Sequence, residues 1–253
     1  METRFDVIGK SYEKALELYP QARTDAEDIL KLLDLQGSET VLEISCGSGY
    51  LSMQLSPLLK EGNLIAQDVS PIMMELNQQK VKERKLKNVH FYRDENMALP
   101  ELEDSSIDKA VCLGGFHHIE EPVKLFRTIR RVLRKGGVFV VGDFADHSPI
   151  QRYFDERIHL LTDTGHQGLF LTESQMVNFA RFSNLNVVSL ERKIAPFYFQ
   201  SKNDVGIFYQ LVHLLQQSPA ETEKEVGDYM GIKQENGRFV VPMDYIYAKY
   251  QKD

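Results

Sequence analysis

The 253-residue chain has no tryptophan and only two cysteines, Cys46 and Cys112. Two cysteines are too few for a disulfide framework or for a cysteine-ligated zinc cluster. Small domains stabilised by disulfides or by such a zinc cluster are therefore excluded. Each cysteine lies at the end of an apolar, β-prone run. We therefore expect both to be buried thiols at the ends of strands.

Long apolar stretches are also missing, and none approaches the roughly 20 residues that a membrane-spanning helix needs. The first six residues lack the basic and apolar regions of a secretory signal. The sequence therefore predicts no membrane span and a cytoplasmic protein.

The chain has no excess of positive charge either, because its formal net charge is −7. This balance disfavours a large non-specific nucleic-acid surface, and we expect no nucleic-acid partner. One predicted helix carries a local basic cluster, which we interpret as a solvated helix face. The cluster consists of Arg127, Arg130, Arg131, Arg134 and Lys135.

What the chain does contain, after residue 37, is an alternation of short apolar strands and amphipathic helices. This order predicts an α/β fold with a parallel sheet. The predicted strands are 41–45, 63–68, 88–92, 107–113 and 138–141, and the predicted helices are 49–59, 71–85 and one that begins at Pro122 and ends at Gly136-Gly137.

The flanking regions divide the chain into three predicted parts. Residues 1–36 have helical patterning interrupted by Pro20 and are expected to form a cap, whereas 37–145 form the ligand-binding core. Residues 146–253 are expected to supply a substrate-cap insertion and then strands that complete the same domain. In this last part the patterns predict strands 187–192 and 245–250, a helix at 204–217, and a connection over 218–240 that includes an exposed, mobile loop.

The first predicted strand runs into a turn that contains Gly47 and Gly49 and then into a helix. Such a turn lets the backbone approach a ligand beside the N-terminus of the helix. With Asp68 about twenty residues later, it resembles a dinucleotide fingerprint and suggests a nicotinamide dehydrogenase. Glu43 favours a different ligand, because a carboxylate attracts an ammonium group and not a pyrophosphate. S-adenosylmethionine carries an ammonium group and no phosphate.

Four segments in order resemble the class I S-adenosylmethionine-dependent methyltransferases, particularly the ubiquinone and menaquinone biosynthesis branch. They are 41–49, 66–74, 93–100, and 108–119 together with 131–137. The resemblance covers about residues 35–145. It implies a Rossmann-like three-layer sandwich with a mostly parallel, seven-stranded sheet and a helical cap. It also implies S-adenosylmethionine as cofactor and S-adenosylhomocysteine as product.

The resemblance assigns cofactor contacts to specific positions, with Asp68 matching the acid that holds both ribose hydroxyls. Ser45 replaces the family's first glycine and is strained if its φ is positive. Because the spacing to Leu99-Pro100 is one residue longer than the commonest pattern, Asp94, Glu95 and Asn96 all remain candidates for the adenine contact. The full predicted set is Glu43, Ser45, Cys46, Gly47, Gly49, Asp68, Val69, Asp94, Glu95, Asn96, Leu113 and Gly114.

Three residues are candidates for catalysis. His117 and His118 follow the fourth strand, where the family often has a histidine pair, and Asp143 ends the fifth. We expect one histidine to accept the acceptor's proton with Asp143 in support. The alternative is capping or structural hydrogen bonding. Methyl transfer requires no metal, and we predict no metal site.

The sequence thus predicts methyl transfer from S-adenosylmethionine to a small organic acceptor, at oxygen or carbon. Candidate acceptor contacts are Tyr12, Tyr19, Arg23 and Arg152. Three alternatives stay open: a non-catalytic or repurposed S-adenosylmethionine-binding protein, a methyltransferase acting on a carrier-bound acid or a protein, and an NAD-dependent dehydrogenase.

Overall fold

The computed structural model of the chain describes residues 3–95, 97–163, 165, 166 and 168–253. Its strands form one sheet in the order β3-β2-β1-β4-β5-β8-β6, with β7 paired to β8. Pairing is parallel from β3 through β5, and β8 is antiparallel to both β5 and β6. The strands are β1 (Thr40–Ile44), β2 (Asn63–Asp68), β3 (Val89–Arg93), β4 (Ile107–Leu113), β5 (Leu133–Phe144), β6 (Asn186–Phe199), β7 (Lys233–Glu235) and β8 (Arg238–Gln251).

Helices cover both faces of this sheet and one of its ends. The α-helices are α1 (Arg4–Leu18), α2 (Asp25–Leu33), α3 (Ser52–Leu55), α4 (Pro71–Glu83), α5 (Pro122–Val132), α6 (Pro149–Tyr153), α7 (His159–Leu161), α8 (Glu173–Phe182), α9 (Lys202–His213) and α10 (Pro219–Met230). Short 3₁₀ turns at Ser56–Leu58 and Phe116–His118 and a π-helical turn at Phe154–Ile158 complete the list. No helix among the described residues combines the length and apolar character needed to cross a membrane.

The two faces of the sheet bury separate apolar cores. In β5 the side chain of Val140 belongs to one core, whereas Phe139 and Val141 belong to the other. This alternation follows from the two-residue period of a strand and requires helices on both sides. The predicted Rossmann-like α/β sandwich with a mostly parallel sheet is confirmed, and β7 is a short eighth strand. Cys46 and Cys112 are free and buried, as expected.

Helix α1 lies across the end of the sheet, where it packs against α9 and α4. Its N-terminus is capped by Thr3, and Asp6 in its first turn accepts a hydrogen bond from the Ser70 hydroxyl at 2.6 Å. An ion pair of 2.5 Å between Lys80 and Glu13 joins α1 and α4 further along. These contacts fix α1 above the carboxyl ends of the strands.

The connection over 218–240, predicted to include an exposed loop, contains a helix and an exposed β-hairpin turn. Ser218 caps α10 in a reciprocal capping box with Glu221, and Asn236-Gly237 form the two-residue turn of the β7–β8 hairpin with positive φ at both positions. The capping box and the Asn-Gly turn are both recognisable local signals, but the glycine and proline content of the segment favoured a loop instead. The C-terminal strands are also longer than predicted, because β6 and β8 pair over their whole length.

The helix predicted over 49–59 is wrong in extent. It begins only at Ser52, as α3, and passes at Ser56 into a 3₁₀ turn that includes Pro57. The helix after Pro122 ends at Val132 and not at the two glycines, because residues from Leu133 onward already pair in β5. The residues between Gly47 and Ser52 therefore form a loop.

Candidate active site

A cleft opens where the carboxyl ends of β1, β2 and β4 meet, beside the point where the strand order reverses. Counting its mouth, it encloses about 1830 Å³. Parallel pairing brings residues that are distant in sequence side by side at this edge. Open α/β sheets bind their ligands at such a switch point, so the cleft is the candidate ligand site.

Nine of the twelve residues predicted to contact the cofactor line this cleft. They are Glu43, Ser45, Cys46, Gly47, Asp68, Val69, Glu95, Leu113 and Gly114. Gly49 and Asp94 are not among the lining residues, and Asn96 lies outside the described residues. Gly49 has φ +93°, and a Cβ there would lie 2.4 Å from Asn77 Oδ1. The Asp94 carboxylate accepts a hydrogen bond from the Leu99 backbone N–H at 2.6 Å.

Ser45 adopts the left-handed conformation, with φ +54°. A non-glycine residue there costs about 1–2 kcal/mol relative to glycine, which explains why glycine is the family's residue at this position. The strain is local, because Ser45 still lines the cleft and its backbone N–H donates to Gln67 Oε1 at 3.3 Å. The turn therefore keeps its shape despite the substitution.

Replacing Ser45 with glycine should stabilise the protein. The relief of about 1–2 kcal/mol outweighs the extra entropy that glycine loses on folding, roughly 0.5–1 kcal/mol. We expect the free energy of unfolding in urea to rise by about 0.5–1 kcal/mol. Ser45→Ala is the matched control, since it removes the same hydroxyl but keeps the Cβ that strains the left-handed backbone, so it should gain no stability. An equal change in the free energy of unfolding in both variants would show that Ser45 is not strained.

Glu43 is a fully buried acid at the back of the cleft. The Ser52 hydroxyl donates to its Oε2 at 2.6 Å, and Asn77 Nδ2 donates to the same hydroxyl at 3.0 Å. Burial, with a smaller contribution from the charge of Asp68, raises the pKa of Glu43 to about 8. Burial therefore favours a neutral Glu43, and a cation beside it would favour the carboxylate.

Asp68 ends β2 and holds the turn in place with both carboxylate oxygens. Oδ2 accepts from the Gly47 N–H at 2.8 Å, and Oδ1 accepts from the Ser70 N–H at 2.9 Å. The cap of α4 is the Ser70 hydroxyl, which accepts from Met73 N, so Asp68 is not the N-cap. Burial raises the pKa of Asp68. Each oxygen keeps a second lone pair for a ligand hydroxyl in the cleft.

A second cavity of about 710 Å³, counting its mouth, lies next to the cleft. Six residues line both spaces, namely Arg4, Phe5, Tyr12, Arg23, Gly114 and His118. Most of the remaining wall is aromatic or aliphatic. Because the lining is apolar with a few charged and imidazole groups, this cavity has the composition of a small-molecule site.

Arg23 is the centre of a buried polar network between the two spaces. It forms a bidentate pair with Asp25, at 3.2 and 2.5 Å, and donates to the Tyr12 hydroxyl at 2.9 Å. The Tyr245 hydroxyl donates to Asp25 at 2.9 Å, and Arg23 Cζ lies 4.0 Å from the centre of the Tyr50 ring. Burial lowers the pKa of Arg23, but Asp25 together with Tyr12, Tyr50 and Tyr245 more than offsets it and keeps the pKa well above its ordinary value.

His117 and Asp143 form a buried pair in the second cavity. Asp143 Oδ1 lies 2.8 Å from His117 Nδ1, and Oδ2 accepts from the His117 backbone N–H at 2.9 Å. An ionised carboxylate can only accept, so Nδ1 carries the hydrogen and Nε2 is the basic nitrogen. His118 lines both spaces, and its ring centre lies 4.0 Å from that of His117.

The four predicted acceptor contacts separate into two pairs. Tyr12 and Arg23 line both spaces, whereas Tyr19 and Arg152 line neither. The Tyr19 hydroxyl donates to Asp204 at 3.2 Å. Arg152 is exposed and pairs with Glu156 one turn along its helix.

Most residues that line this cavity have no counterpart in the sequence prediction, among them Arg4, Phe5, His166 and His213. Arg4 and Phe5 come from the first turn of α1. His166 comes from the weakly patterned region between 146 and 182, and His213 ends α9. The pKa of His166 is lowered to about 3, mainly by burial.

Comparison with known proteins identifies the fold and the family. A family model described as a methyltransferase domain matches residues 35–187, more than half of the chain. The uncharacterized methyltransferase YcgJ of Bacillus subtilis is 27% identical over 161 residues, 61% of this chain and 62% of that protein. A demethylmenaquinone methyltransferase of Listeria welshimeri is 28% identical over 139 residues, 53% of this chain and 57% of that protein. The chain thus covers less than two thirds of these relatives.

Solved structures agree with the fold. YcgJ of Bacillus subtilis superposes with a TM-score of 0.68 at 19% identity, covering 90% of this chain and 97% of that one. Geranyl diphosphate methyltransferase in complex with S-adenosylmethionine has a TM-score of 0.61 at 14% identity, covering 90% and 84%. Together with the match to the family model, the cleft at the switch point and the motifs around it, these likenesses show that the chain belongs to the class I S-adenosylmethionine-dependent methyltransferases.

Proposed function

We propose that the chain transfers a methyl group from a cofactor in the cleft to a small, largely apolar acceptor in the second cavity. The observation that carries the proposal is the common wall of the two spaces, formed in part by Gly114 and His118. Because the two spaces adjoin there, a methyl group can pass directly from a cofactor in the cleft to an acceptor in the second cavity. The acceptor atom in the proposal is oxygen or carbon.

The residues of the cleft fit S-adenosylmethionine. Gly47 has φ +53°, and a Cβ built on it meets no atom within 4 Å, so the turn is open on the side where a ligand would lie. Asp68 offers two oxygens for the ribose hydroxyls, and Glu43 offers a carboxylate for the ammonium group. Glu95 lines the cleft and is the described candidate for the adenine contact.

The cofactor supplies a methyl carbon that its sulfonium already activates. The chain has to align the acceptor, exclude water and remove a proton. His117, oriented by Asp143, is placed to accept that proton at Nε2 and would become a cation beside a carboxylate. The cap residues Phe5 and Tyr12 from α1 cover both spaces and limit the access of water.

The acceptor class follows from the wall of the second cavity. Rings from Phe144, Phe154 and Phe197 favour a flat apolar body, and Arg4 and Arg23 favour a negative or strongly polar group on it. Relatives named demethylmenaquinone methyltransferase support an aromatic acceptor. A carrier-bound acid and a protein remain the alternative acceptors.

A labelled-methyl screen tests the function. The protein is incubated with methyl-labelled S-adenosylmethionine and a small-molecule metabolite extract, and the products are separated by mass spectrometry. We expect a labelled aromatic or cyclic product that carries an ionisable oxygen. Label found only on protein would transfer the proposal to the carrier or protein alternative. Cofactor binding without any labelled product would support a repurposed binding protein instead.

Cofactor affinity should depend on pH through Glu43. Because burial raises its pKa to about 8, binding of an ammonium group beside Glu43 expels a proton. We expect affinity to rise nearly tenfold per pH unit between about pH 5.5 and 7, below the range in which an α-amino group titrates, near 7.7. Isothermal titration calorimetry in buffers of different ionisation enthalpy measures both the affinity and the protons released.

Glu43→Gln is the control for this pH dependence, because glutamine cannot titrate and keeps a similar shape. Its affinity should be weaker at pH 7 and flat across the range. A wild-type affinity that is equally flat would show that Glu43 does not contact the ammonium group.

A further inference from the structure

Three imidazole rings converge in the second cavity. His117, His118 and His166 each offer one ring nitrogen, and these three atoms all lie within 4.8 Å of one another. Among the described residues this is the only group of three or more histidine, cysteine or acidic side chains with such spacing. Histidine nitrogens are the commonest ligands of borderline transition metals in proteins.

Two of the rings are held in a manner typical of metal ligands. Asp143 fixes His117 through Nδ1 and so leaves Nε2 as the ligand atom, the arrangement in which a carboxylate orients a coordinating histidine. His166 is 6% exposed, and its buried Nδ1 has no hydrogen-bond partner among the residues that the structure describes. A buried polar atom without a partner is costly, and a bound ion would remove that cost.

The site has the right scale for a small ion. Nitrogens around a tetrahedral zinc, at about 2.0–2.1 Å from the metal, lie about 3.3 Å apart. The three rings therefore have to approach one another by at most about 1.5 Å, which modest side-chain rotations can supply. Gly168 is packed on two of them, since a Cβ there would lie 3.0 Å from His117 Cδ2 and 3.1 Å from His166 Cε1.

We propose that His117, His118 and His166 bind one divalent transition metal of the zinc type, with a fourth position open to the second cavity. The buried Asp143 supplies one negative charge next to the site, whereas Arg4 lines the same cavity with positive charge and the charge of Arg23 is already paired with Asp25. The fourth ligand is therefore an anionic oxygen, such as a carboxylate or a phenolate. Such a group also matches the acceptor class proposed above.

Ion binding does not depend on the proposed function. Only the role of the ion in catalysis rests on that function. While an ion is bound it would occupy Nε2 of His117, so that atom would accept the acceptor's proton only in the metal-free chain. The bound ion would instead lower the pKa of an acceptor hydroxyl that it coordinates, so that the oxygen gives its proton to water before it takes the methyl group.

Metal binding can be measured without any methyl acceptor. The full chain, with affinity tag removed and metals stripped by a chelator, is titrated with Zn²⁺ by calorimetry, and with Co²⁺ by visible absorption. We expect one ion per chain and cobalt bands typical of four-coordinate sites. His166→Ala and His118→Ala should each weaken zinc binding at least tenfold, and Gly168→Ala should weaken it by displacing two rings. His147→Ala is the matched control, because its side chain is 86% exposed and lies outside the cluster.

Circular dichroism of each variant shows whether it is folded, and the two single histidine variants and Gly168→Ala provide independent tests. Absence of stoichiometric zinc binding by the wild-type chain would overturn the proposal. Equal zinc affinity in the wild type and in all folded cluster variants would overturn it as well. Either failure leaves the proposed methyl transfer intact, because cofactor binding and product labelling are measured without added metal.

Discussion

Asp68→Ala should lower the affinity for S-adenosylmethionine by about 10²–10⁴-fold. Two hydrogen bonds from ribose hydroxyls to a buried carboxylate contribute about 1.5–3 kcal/mol each in the bound state, and alanine removes both. The substitution also leaves the N–H groups of Gly47 and Ser70 without their acceptor, so the turn itself loses its anchor. Calorimetric titration with S-adenosylmethionine and S-adenosylhomocysteine measures the loss.

The control for Asp68→Ala is Asp104→Ala, which removes an exposed aspartate that pairs with Arg131 away from the cleft. It should bind the cofactor like the wild type. A folded Asp68→Ala protein with wild-type affinity would remove Asp68 as the ribose ligand. Loss of affinity for S-adenosylhomocysteine as well as S-adenosylmethionine is expected, because the two ligands share the ribose and differ only at the methylated sulfur.

The cleft was predictable from sequence because its residues are local to a few strand ends. β1 and its turn supply Glu43, Ser45 and Gly47 in one short motif, and Asp68 ends the next strand. Once the strands are taken to be parallel, these positions must meet at one edge of the sheet. The strain at Ser45 needed the structure, because the sign of φ is not determined by the neighbouring residue types.

The second cavity was only partly predictable because contacts between distant segments build it. Arg4 reaches the backbone carbonyl of Gly165, and Tyr245 reaches Asp25, across most of the chain. Nothing in the local pattern around His166 indicates that its ring lies beside His117. Residues of this kind are brought together when the cap helices pack on one another. That packing depends on the shapes of distant surfaces, which no local sequence motif indicates.

The same difference applies to two of the predicted acceptor contacts and to the C-terminal segment. Tyr19 and Arg152 had the chemistry of acceptor contacts, yet a hydrogen bond to Asp204 and an ion pair with Glu156 hold them elsewhere. The capping box at Ser218 and the Asn236-Gly237 turn were readable signals, but composition over the whole segment indicated a loop. Short motifs with a physical mechanism were better guides here than average composition.

Replacing His117 with alanine should lower the single-turnover rate of methyl transfer by about 10²–10⁴-fold with the acceptor that the labelling screen identifies. Asp143→Asn should produce a loss of similar order, because an amide cannot accept from both the ring N–H and the backbone N–H of His117, and the ring then loses its tautomer and orientation. Both variants should retain cofactor affinity, because neither residue lines the cleft.

The division between rate and binding separates a chemical role from a structural one. If the pair only supported the fold, both variants would lose stability and cofactor affinity together, and any folded fraction would react at the wild-type rate. His147→Ala supplies the control for loss of an exposed histidine. Wild-type single-turnover rates in both His117→Ala and His118→Ala would exclude an essential histidine base and leave alignment of the acceptor as the chain's contribution to the reaction.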